Sequence, residues 1–310
     1  MKQLYLANPR GFCAGVDRAI HIVDGALQKF GAPIYVRHEI VHNFFVVDRL
    51  RAKGAIFVEE LNQIPENSTV IFSAHGVAES VYKEAETRHL RVLDATCPLV
   101  KRVHSSAKRH FDAGRHIILI GHSGHAEVEG TLGQLPRGAI TVIRNVSDVE
   151  TLSFENEELL AYITQTTLSV AETKNIIRAL HSRFPKILGP ERGDLCYATG
   201  NRQAAVSEIC SKVQLLLVVG AKNSSNSSRL SELGTEHGIL SRLIASVADL
   251  KLEWFDGIDS VGLSSGASAP EDLVQEVVAW MQWKFPEVEV INWVTMREQV
   301  KFQLPPELST

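Results

Sequence analysis

The feature that most constrains the fold of this chain is a repeated order of elements. Six short runs rich in β-branched and apolar residues are each followed by a polar loop and then by a stretch with helical periodicity. This alternation is typical of α/β folds built around mainly parallel sheets. The six predicted strands are Ile34–Val36, Val70–Phe72, Ile117–Ile120, Leu160–Ile163, Leu215–Val219 and Ser260–Leu263.

Each predicted strand runs into a loop of hydroxyl, amide or imidazole side chains. Open α/β sheets bind ligands at the carboxyl ends of their strands, where such loops lie. A helix that begins there offers free backbone N–H groups and a positive dipole end, so it binds phosphate without Lys or Arg. The loops therefore predict an anion site. They are residues 37–43, 73–76, 121–127, 164–169, 222–227 and 264–270.

Three of the four cysteines divide these strands into three pairs. Cys13, Cys97 and Cys196 are separated by 84 and 99 residues, and each comes just before a predicted helix. Two strand–loop–helix units follow each helix, which makes a near-repeat of about 90 residues. Packed around a common axis, three such units would bring the cysteines together at the centre. The predicted helices are Ala14–Phe30, Leu99–Ala113 and Tyr197–Val213.

The near-repeat predicts three α/β domains and a short C-terminal segment. Val288–Trp293 is expected to form a final strand, and Gln303–Pro306 suggests a loosely ordered end. The predicted domains are 14–96, 97–193, 194–281 together with 1–13, and a C-terminal strand and tail over 282–310.

The fourth cysteine has a different context. Cys210 lies inside a helical stretch with Val206 and Val213 on the same face, which indicates a buried structural thiol. The other three lie at loop-to-helix junctions, where a helix N-terminus stabilises a thiolate that a metal can bind.

The metal itself is not decided by spacing. Structural zinc usually takes four ligands, often through a C-x2-C pair that is absent here. The close spacings of ferredoxins are absent too. Three thiolates from separate segments suit a 4Fe-4S cluster with one open iron, and core packing is the simple alternative.

Several loop residues are candidates for substrate binding. Asn223–Ser228 is the densest polar run, and an N-cap is its ordinary interpretation. Ser268 and Thr166–Thr167 occupy equivalent places in other units, as do His42, His75 and His125 in theirs, which favours a shared function. Glu127 is either a residue of a capping turn or a proton carrier in a cavity.

Other functional classes lack their signatures. No G-x-G-x-x-G, G-x4-G-K-[ST] or G-x-S-x-G motif occurs. A net charge of −4 argues against nucleic-acid binding. No apolar run approaches the roughly 20 residues that cross a bilayer, and residues 1–8 do not resemble a signal peptide. We therefore expect a soluble cytoplasmic protein.

Ordered motifs across residues 10–271 resemble the 4-hydroxy-3-methylbut-2-enyl diphosphate reductases of the non-mevalonate isoprenoid pathway. Each motif alone is weak, and jointly they are specific. The motifs are Arg10–Val16, Glu39–Asn43, Ser73–Gly76, Asp94–Val100, His125–Gly130, Thr164–Ser169, Cys196–Gln203, Lys222–Ser227 and Ser265–Glu271.

The resemblance implies a trefoil of three similar α/β domains around a central iron–sulfur cluster. It implies one 4Fe-4S cluster with Cys13, Cys97 and Cys196 as its ligands and one open iron. Thr166 would contact the hydroxyl end of the substrate, and Glu127 would supply protons. The implied diphosphate ligands are His42, His75, His125, Ser224, Ser225, Asn226 and Ser268.

The implied reaction is reductive dehydroxylation of (E)-4-hydroxy-3-methylbut-2-enyl diphosphate to isopentenyl and dimethylallyl diphosphates, the last step of that pathway. A flavodoxin or ferredoxin would donate the electrons. One departure from the expected motif is Ala126 in place of proline, which frees the backbone between His125 and Glu127. The alternatives are a non-catalytic iron–sulfur sensor or diphosphate-binding protein, and a zinc hydrolase.

Overall fold

The computed structural model describes residues 1–191 and 193–308, which fold into parallel sheets and helices. The strands are β1 Gln3–Asn8, β2 Ile34–Arg37, β3 Ala55–Val58, β4 Thr69–Phe72, β5 Arg91–Asp94, β6 His116–Ile120, β7 Ile140–Ile143, β8 Leu160–Thr164, β9 Leu215–Val219, β10 Leu240–Ile244, β11 Ser260–Ser265 and β12 Glu289–Val294. The α-helices are α1 Ala14–Phe30, α2 Phe44–Ala52, α3 Glu79–Thr87, α4 Pro98–Asp112, α5 Ala126–Leu132, α6 Val146–Thr151, α7 Val170–Arg183, α8 Tyr197–Cys210, α9 Ser225–Glu236 and α10 Glu271–Lys284.

The strands belong to three sheets, and every strand pair within them is parallel. One sheet has five strands in the order β10-β9-β11-β1-β12. The second has the order β3-β2-β4-β5, and the third the order β7-β6-β8. The predicted fold class, α/β with three similar parallel-sheet modules, is confirmed.

The three sheets share one connection pattern. In each, the first strand after a cysteine pairs with the second strand on one side and with the third on the other, as in β3-β2-β4, β7-β6-β8 and β10-β9-β11. The three segments share little sequence identity, but their strands are connected and ordered in the same way.

All six predicted strands are present, and so is the predicted final strand, which is β12. Inner strands such as β4 and β9 are buried at every position, so they read as continuous apolar runs. The strands β3, β5, β7 and β10, which lie at sheet edges, are missing from the prediction because each is partly exposed; Ile56 and Leu240 are 43% and 51% exposed. The inner strand β1 precedes the first cysteine and lies outside the repeat that guided the prediction.

The helices that follow the three cysteines lie close to their predicted bounds. α1 matches its prediction, and α4 begins one residue earlier because Pro98 takes the first helical position, which suits its fixed φ. α8 ends at Cys210 and not at Val213, since Ser211 and Lys212 form the turn into β9.

The chain divides into two units. The first contains residues 1–16, 42–47 and 197–301, with the five-stranded sheet and a core that includes Leu217, Leu263 and Val277. The second contains residues 17–41, 48–196 and the segment from Phe302, with the other two sheets. The predicted domain boundaries stay a prediction.

The C-terminal segment differs from the expected loose end. The Leu308 side chain is 9% exposed and packs over Gly25 of α1, while Lys29 donates a hydrogen bond to the Glu307 carbonyl at 2.7 Å. Among residues 1–191 and 193–308, no helix is both long enough and apolar enough to span a membrane.

Candidate active site

The three predicted cluster cysteines occupy equivalent backbone positions. Each lies at the start of a helix, and its N–H donates to a carbonyl of the polar loop that follows the third strand of a module. This shared hydrogen bond holds the backbone of each cysteine against that polar loop. The three bonds are Cys13 N to Ala267 O at 3.2 Å, Cys97 N to Ala74 O at 3.0 Å and Cys196 N to Thr166 O at 3.0 Å.

The exposure of the four cysteines separates them as predicted. Cys13, Cys97 and Cys196 are half-buried, whereas Cys210 is buried among Val206, Ile209 and neighbouring apolar residues. Burial raises the pKa of the Cys210 thiol to about 11, so it stays protonated at neutral pH. Cys210 is therefore a core residue, as the sequence indicates.

Glu127 is a buried carboxylic acid bonded to Thr166. It lies in the first turn of α5 and is 3% exposed. Its Oε1 accepts from Thr166 N at 2.7 Å, and its Oε2 accepts from Thr166 Oγ1 at 2.9 Å. Burial raises the pKa of Glu127 to about 7, although both Thr166 bonds favour the ionised form. The acid can therefore hold or release a proton near neutral pH.

His125 caps the helix that carries Glu127. Its Nδ1 accepts from the Glu127 N–H at 3.1 Å, so a neutral His125 carries its proton on Nε2. Its ring meets the His75 ring edge-on, with 6.0 Å between the centroids. The predicted residues His75, His125, Glu127 and Thr166 therefore lie in one unit, together with Cys97 and Cys196.

Ala126, the departure from the expected motif, is the first residue of α5. Proline is favoured at this position but is not required there, because the first N–H has no partner inside the helix. With alanine at this position, α5 begins at residue 126 and His125 caps it.

Asp194 is a site residue that the sequence did not single out. It is 2% exposed, and its Oδ2 accepts from Thr164 N at 3.0 Å. Burial raises the pKa of Asp194 to about 6, and its charge helps to raise the pKa of Glu127. Only its place two residues before Cys196 could have drawn attention to it.

The loop that carries His75 is shaped by a glycine. Gly76 has φ +82°, and a Cβ there would lie 2.7 Å from Cε1 of His104 on α4. Burial lowers the pKa of His104 to about 4, so its ring is neutral. Ser73 Oγ lies 3.3 Å from His75 Nδ1 and helps to hold that ring.

The other unit contains the remaining predicted residues around the start of α9. Ser224 caps this helix, and its Oγ accepts from Ser227 Oγ at 3.0 Å, while Ser225 is the first helical residue. Asn226 Oδ1 accepts from Ala267 N at 2.8 Å. Asn226 Nδ2 is buried and has no hydrogen-bond partner among the described residues. An amide donor of this kind suits an anion.

His42 and Ser268 meet in the same unit. Ser268 Oγ donates to the His42 carbonyl at 3.0 Å, and Asn223 Nδ2 lies 3.5 Å from His42 Nδ1. Two glycines let this region close up, because a Cβ on Gly266 or Gly220 would overlap Ser227 Oγ. His42, Ser224, Ser225, Asn226 and Ser268 therefore share a unit with Cys13.

Across the described ranges 1–191 and 193–308, no group of three or more His, Cys, Asp and Glu side chains is placed to hold a single metal ion. A single zinc ion draws its ligands close together.

Known proteins resemble this chain over nearly its whole length. A family profile described as LytB protein matches residues 4–282. The chain belongs to the LytB protein family. A curated relative from Acidithiobacillus ferrooxidans, named 4-hydroxy-3-methylbut-2-enyl diphosphate reductase, is 56% identical over an alignment 309 residues long that covers 97% of this chain and 95% of the relative.

Solved structures agree with this LytB assignment. The E-1-hydroxy-2-methyl-but-2-enyl-4-diphosphate reductase from Plasmodium falciparum matches with a TM-score of 0.94 and 38% identity, over 99% of this chain and 96% of that chain. A second structure, of (E)-4-hydroxy-3-methyl-but-2-enyl diphosphate reductase, the terminal enzyme of the non-mevalonate pathway, matches with a TM-score of 0.64 and 30% identity, over 91% of this chain and 100% of that chain. The family resemblance read from the motifs is confirmed, and the roles of single residues stay predictions.

Proposed function

We propose that this protein is an oxidoreductase that converts (E)-4-hydroxy-3-methylbut-2-enyl diphosphate into isopentenyl and dimethylallyl diphosphates. The reaction breaks the C–O bond of the hydroxymethyl group, consumes two electrons and two protons, and releases water. It is the last step of the non-mevalonate pathway. The curated names of close relatives support it over a non-catalytic sensor.

Cys13, Cys97 and Cys196 would hold a 4Fe-4S cluster. Their equivalent positions, partial exposure and location at helix starts fit thiolate ligands. When bound, the cluster with its open iron supplies single electrons and a Lewis acid. The rest of the chemistry falls to side chains of the chain itself.

The diphosphate would bind at the start of α9 and to the histidines of the polar loops. Ser224, Ser225 and Asn226 offer hydroxyl and amide donors beside the N–H groups of a 12-residue helix. Ser268, His42, His75 and His125 would add further contacts, as the family resemblance implies. Neutral donors suit this task because their hydrogen bonds to an anion are charge-assisted.

Glu127 would supply the proton that the departing hydroxyl needs. In the ionised state Thr166 donates to both Glu127 oxygens, through its N–H to Oε1 and through its hydroxyl to Oε2. Once Oε2 is protonated, it would instead donate to Thr166 Oγ1. The Thr166 hydroxyl can then donate to the substrate oxygen. Burial keeps water away from this pair and raises the pKa of Glu127 to about 7, so a large share of the acid is protonated near neutral pH.

A flavodoxin or ferredoxin would be the electron donor, as the family resemblance implies. The observation that carries the proposal is the buried Glu127–Thr166 pair, because a sensor or a diphosphate-binding protein needs no tuned acid.

The decisive experiment is metal analysis followed by turnover. Protein purified without oxygen is expected to contain iron and acid-labile sulfide and, after reduction by dithionite, to form both products from the hydroxylated diphosphate. Zinc without sulfide would refute the cluster. A cluster with substrate binding and no product would favour the sensor.

A further inference from the structure

Three arginines occupy matching positions in the helices that follow the predicted cluster cysteines. Arg18 lies on α1, Arg102 on α4 and Arg202 on α8, which places them five, five and six residues beyond their cysteines. This spacing is about one and a half helical turns. The side chains of Arg18 and Arg102 are half-buried, and that of Arg202 is completely buried.

Each arginine donates to a main-chain carbonyl just before a different cysteine. The accepting residue lies one to three positions before the next cysteine in the chain, and the third arginine returns to the first cysteine. The bonds are Arg18 Nη1 to Thr96 O at 3.3 Å, Arg102 Nη2 to Gly193 O at 2.9 Å and Arg202 Nη2 to Gly11 O at 2.7 Å.

Arg202 makes the most contacts of the three. Its Nε also donates to Gly11 O at 3.1 Å, and its Nη2 donates to Phe12 O at 3.3 Å. Glu298 lies 3.0 Å from Nη1 and balances the buried charge. The planar fork of arginine makes such a set of contacts possible, and a lysine ammonium would not reproduce it.

Arg18 holds the peptide group that precedes Cys97, because its Nη1 donates to the Thr96 carbonyl. The N–H of that same peptide donates to Ala74 O. The peptide that leads into Cys97 is therefore held at its carbonyl and at its N–H.

Arginine bonds to carbonyls are common and are not by themselves functional. Arg88, for example, donates to Ile64 O at 2.6 Å at the opposite end of β4 from the site loops. Arg18, Arg102 and Arg202 differ from Arg88 because each donates to a carbonyl one to three residues before a predicted cluster cysteine. The same bond therefore recurs at all three cysteines, although the segments share little sequence identity.

We propose that Arg18, Arg102 and Arg202 are positioning residues for the cluster ligands, each holding the backbone that carries one cysteine. The proposal rests on the proposed function, because it concerns the cysteines assigned to the cluster. Outer partners that orient metal ligands affect metal affinity strongly, typically by about 10- to 100-fold. Cationic groups near a cluster also favour its reduced form, which carries more negative charge.

The test compares single variants of the anaerobically prepared holoenzyme. Arg18→Gln and Arg102→Gln remove one clamp each, and Arg18→Lys keeps the charge without the fork. At the buried position Arg202→Lys is used, because it keeps a positive charge beside Glu298 while removing the guanidinium fork. Arg88→Gln is the control for losing a carbonyl clamp. Iron release to a ferrous chelator and the midpoint potential from electron paramagnetic resonance are measured for each.

We expect Arg18→Gln, Arg102→Gln and Arg202→Lys to release iron about 10-fold faster than the wild type. We expect the midpoint potential of Arg18→Gln to become more negative and that of Arg18→Lys to return towards wild type. Arg88→Gln should match wild type in both. If Arg18→Gln and Arg102→Gln both keep the wild-type rate of iron release and the wild-type midpoint potential, the positioning role is wrong, while the proposed function is unaffected. A wild-type chain without iron and sulfide would overturn the proposed function with it.

Discussion

At the scale of single residues, Glu127 shows how the fold sets a proton affinity. Burial disfavours the carboxylate, and two hydrogen bonds from Thr166 favour it. Burial is the larger effect, so the pKa rises to about 7. An exposed glutamate would be ionised at neutral pH and could not act as the acid.

Glu127→Gln should separate binding from turnover. Glutamine keeps the shape and can still accept from Thr166 N, but it has no proton to give. We expect the cluster content and substrate affinity to remain and kcat to fall about 10²- to 10⁴-fold. Iron analysis, calorimetric substrate titration and product formation measure the three quantities. A kcat within threefold of the wild type would remove Glu127 from the role of proton donor.

The pH dependence of turnover should report the same acid. A general acid acts in its protonated form, so kcat should decline as the pH rises through about 7, the pKa of Glu127. Thr166→Val removes the hydroxyl bond that favours the carboxylate. The pKa then rises further, and the declining limb should move to higher pH even though kcat is lower. A limb that stays in place, or moves to lower pH, would contradict the assignment.

Single residues were predictable where a motif carried them and not where a distant contact did. The three cysteines, Glu127 and Thr166 stand in recognisable local patterns. Asp194 stands in no such motif, and Arg202 stands in one that does not reveal its partner, because the donor or acceptor that gives each its place is 30 or more residues away in sequence. No local pattern encodes such a pairing.

At the scale of elements, the C-terminal segment is a strap along α1. Pro-rich sequence suggested a loose end, but Arg18 and Lys29 of α1 donate to the Gln303 and Glu307 carbonyls at 2.8 and 2.7 Å. Main-chain acceptors leave no trace in side-chain identity, which is why the sequence did not reveal these contacts. Leu308 closes the strap over Gly25, where a Cβ would lie 3.6 Å from the leucine side chain.

Leu308→Ala should loosen this strap. The side chain is 9% exposed, and truncating a buried leucine costs about 2 to 5 kcal/mol, with the lower end expected near the surface. Urea unfolding followed by circular dichroism measures the change in the free energy of unfolding. Glu307→Ala is the matched control, because its side chain is exposed and its carbonyl remains. Equal free energies of unfolding for the two variants would show that the Leu308 side chain does not stabilise the fold.

Four of the five strands that the sequence did not predict lie at sheet edges, and the fifth, β1, lies inside its sheet. Strands inside the sheets have long apolar runs that stand out, whereas an edge strand has solvent along one side and mixes polar residues into its pattern. β10, with Ser241 and Arg242 between its apolar residues, is such a case. The sequence therefore predicted the order of the strands and helices correctly but underestimated the number of strands.

At the scale of the whole molecule, three modules repeat the same solution. Each has a cysteine at the start of a helix, a strand order in which the first strand lies between the second and third, and a polar loop after the third strand. That loop receives a hydrogen bond from a cysteine N–H. The repeat explains why Cys13, Cys97 and Cys196, which are 84 and 99 positions apart, have the same position at a helix start and the same backbone hydrogen bond.

This equivalence predicts the outcome of replacing each cysteine in turn. Serine at position 13, 97 or 196 keeps the backbone bond but lacks a thiolate, so each variant should lose most of its iron and sulfide. Cys210→Ala should retain both, because its thiol is buried in the core and its raised pKa keeps it protonated. Iron, sulfide and visible absorbance of anaerobically purified variants decide the matter. Full cluster content in any of the three serine variants would remove that cysteine from the ligand set, whereas loss in Cys210→Ala with an unchanged fold would add the fourth.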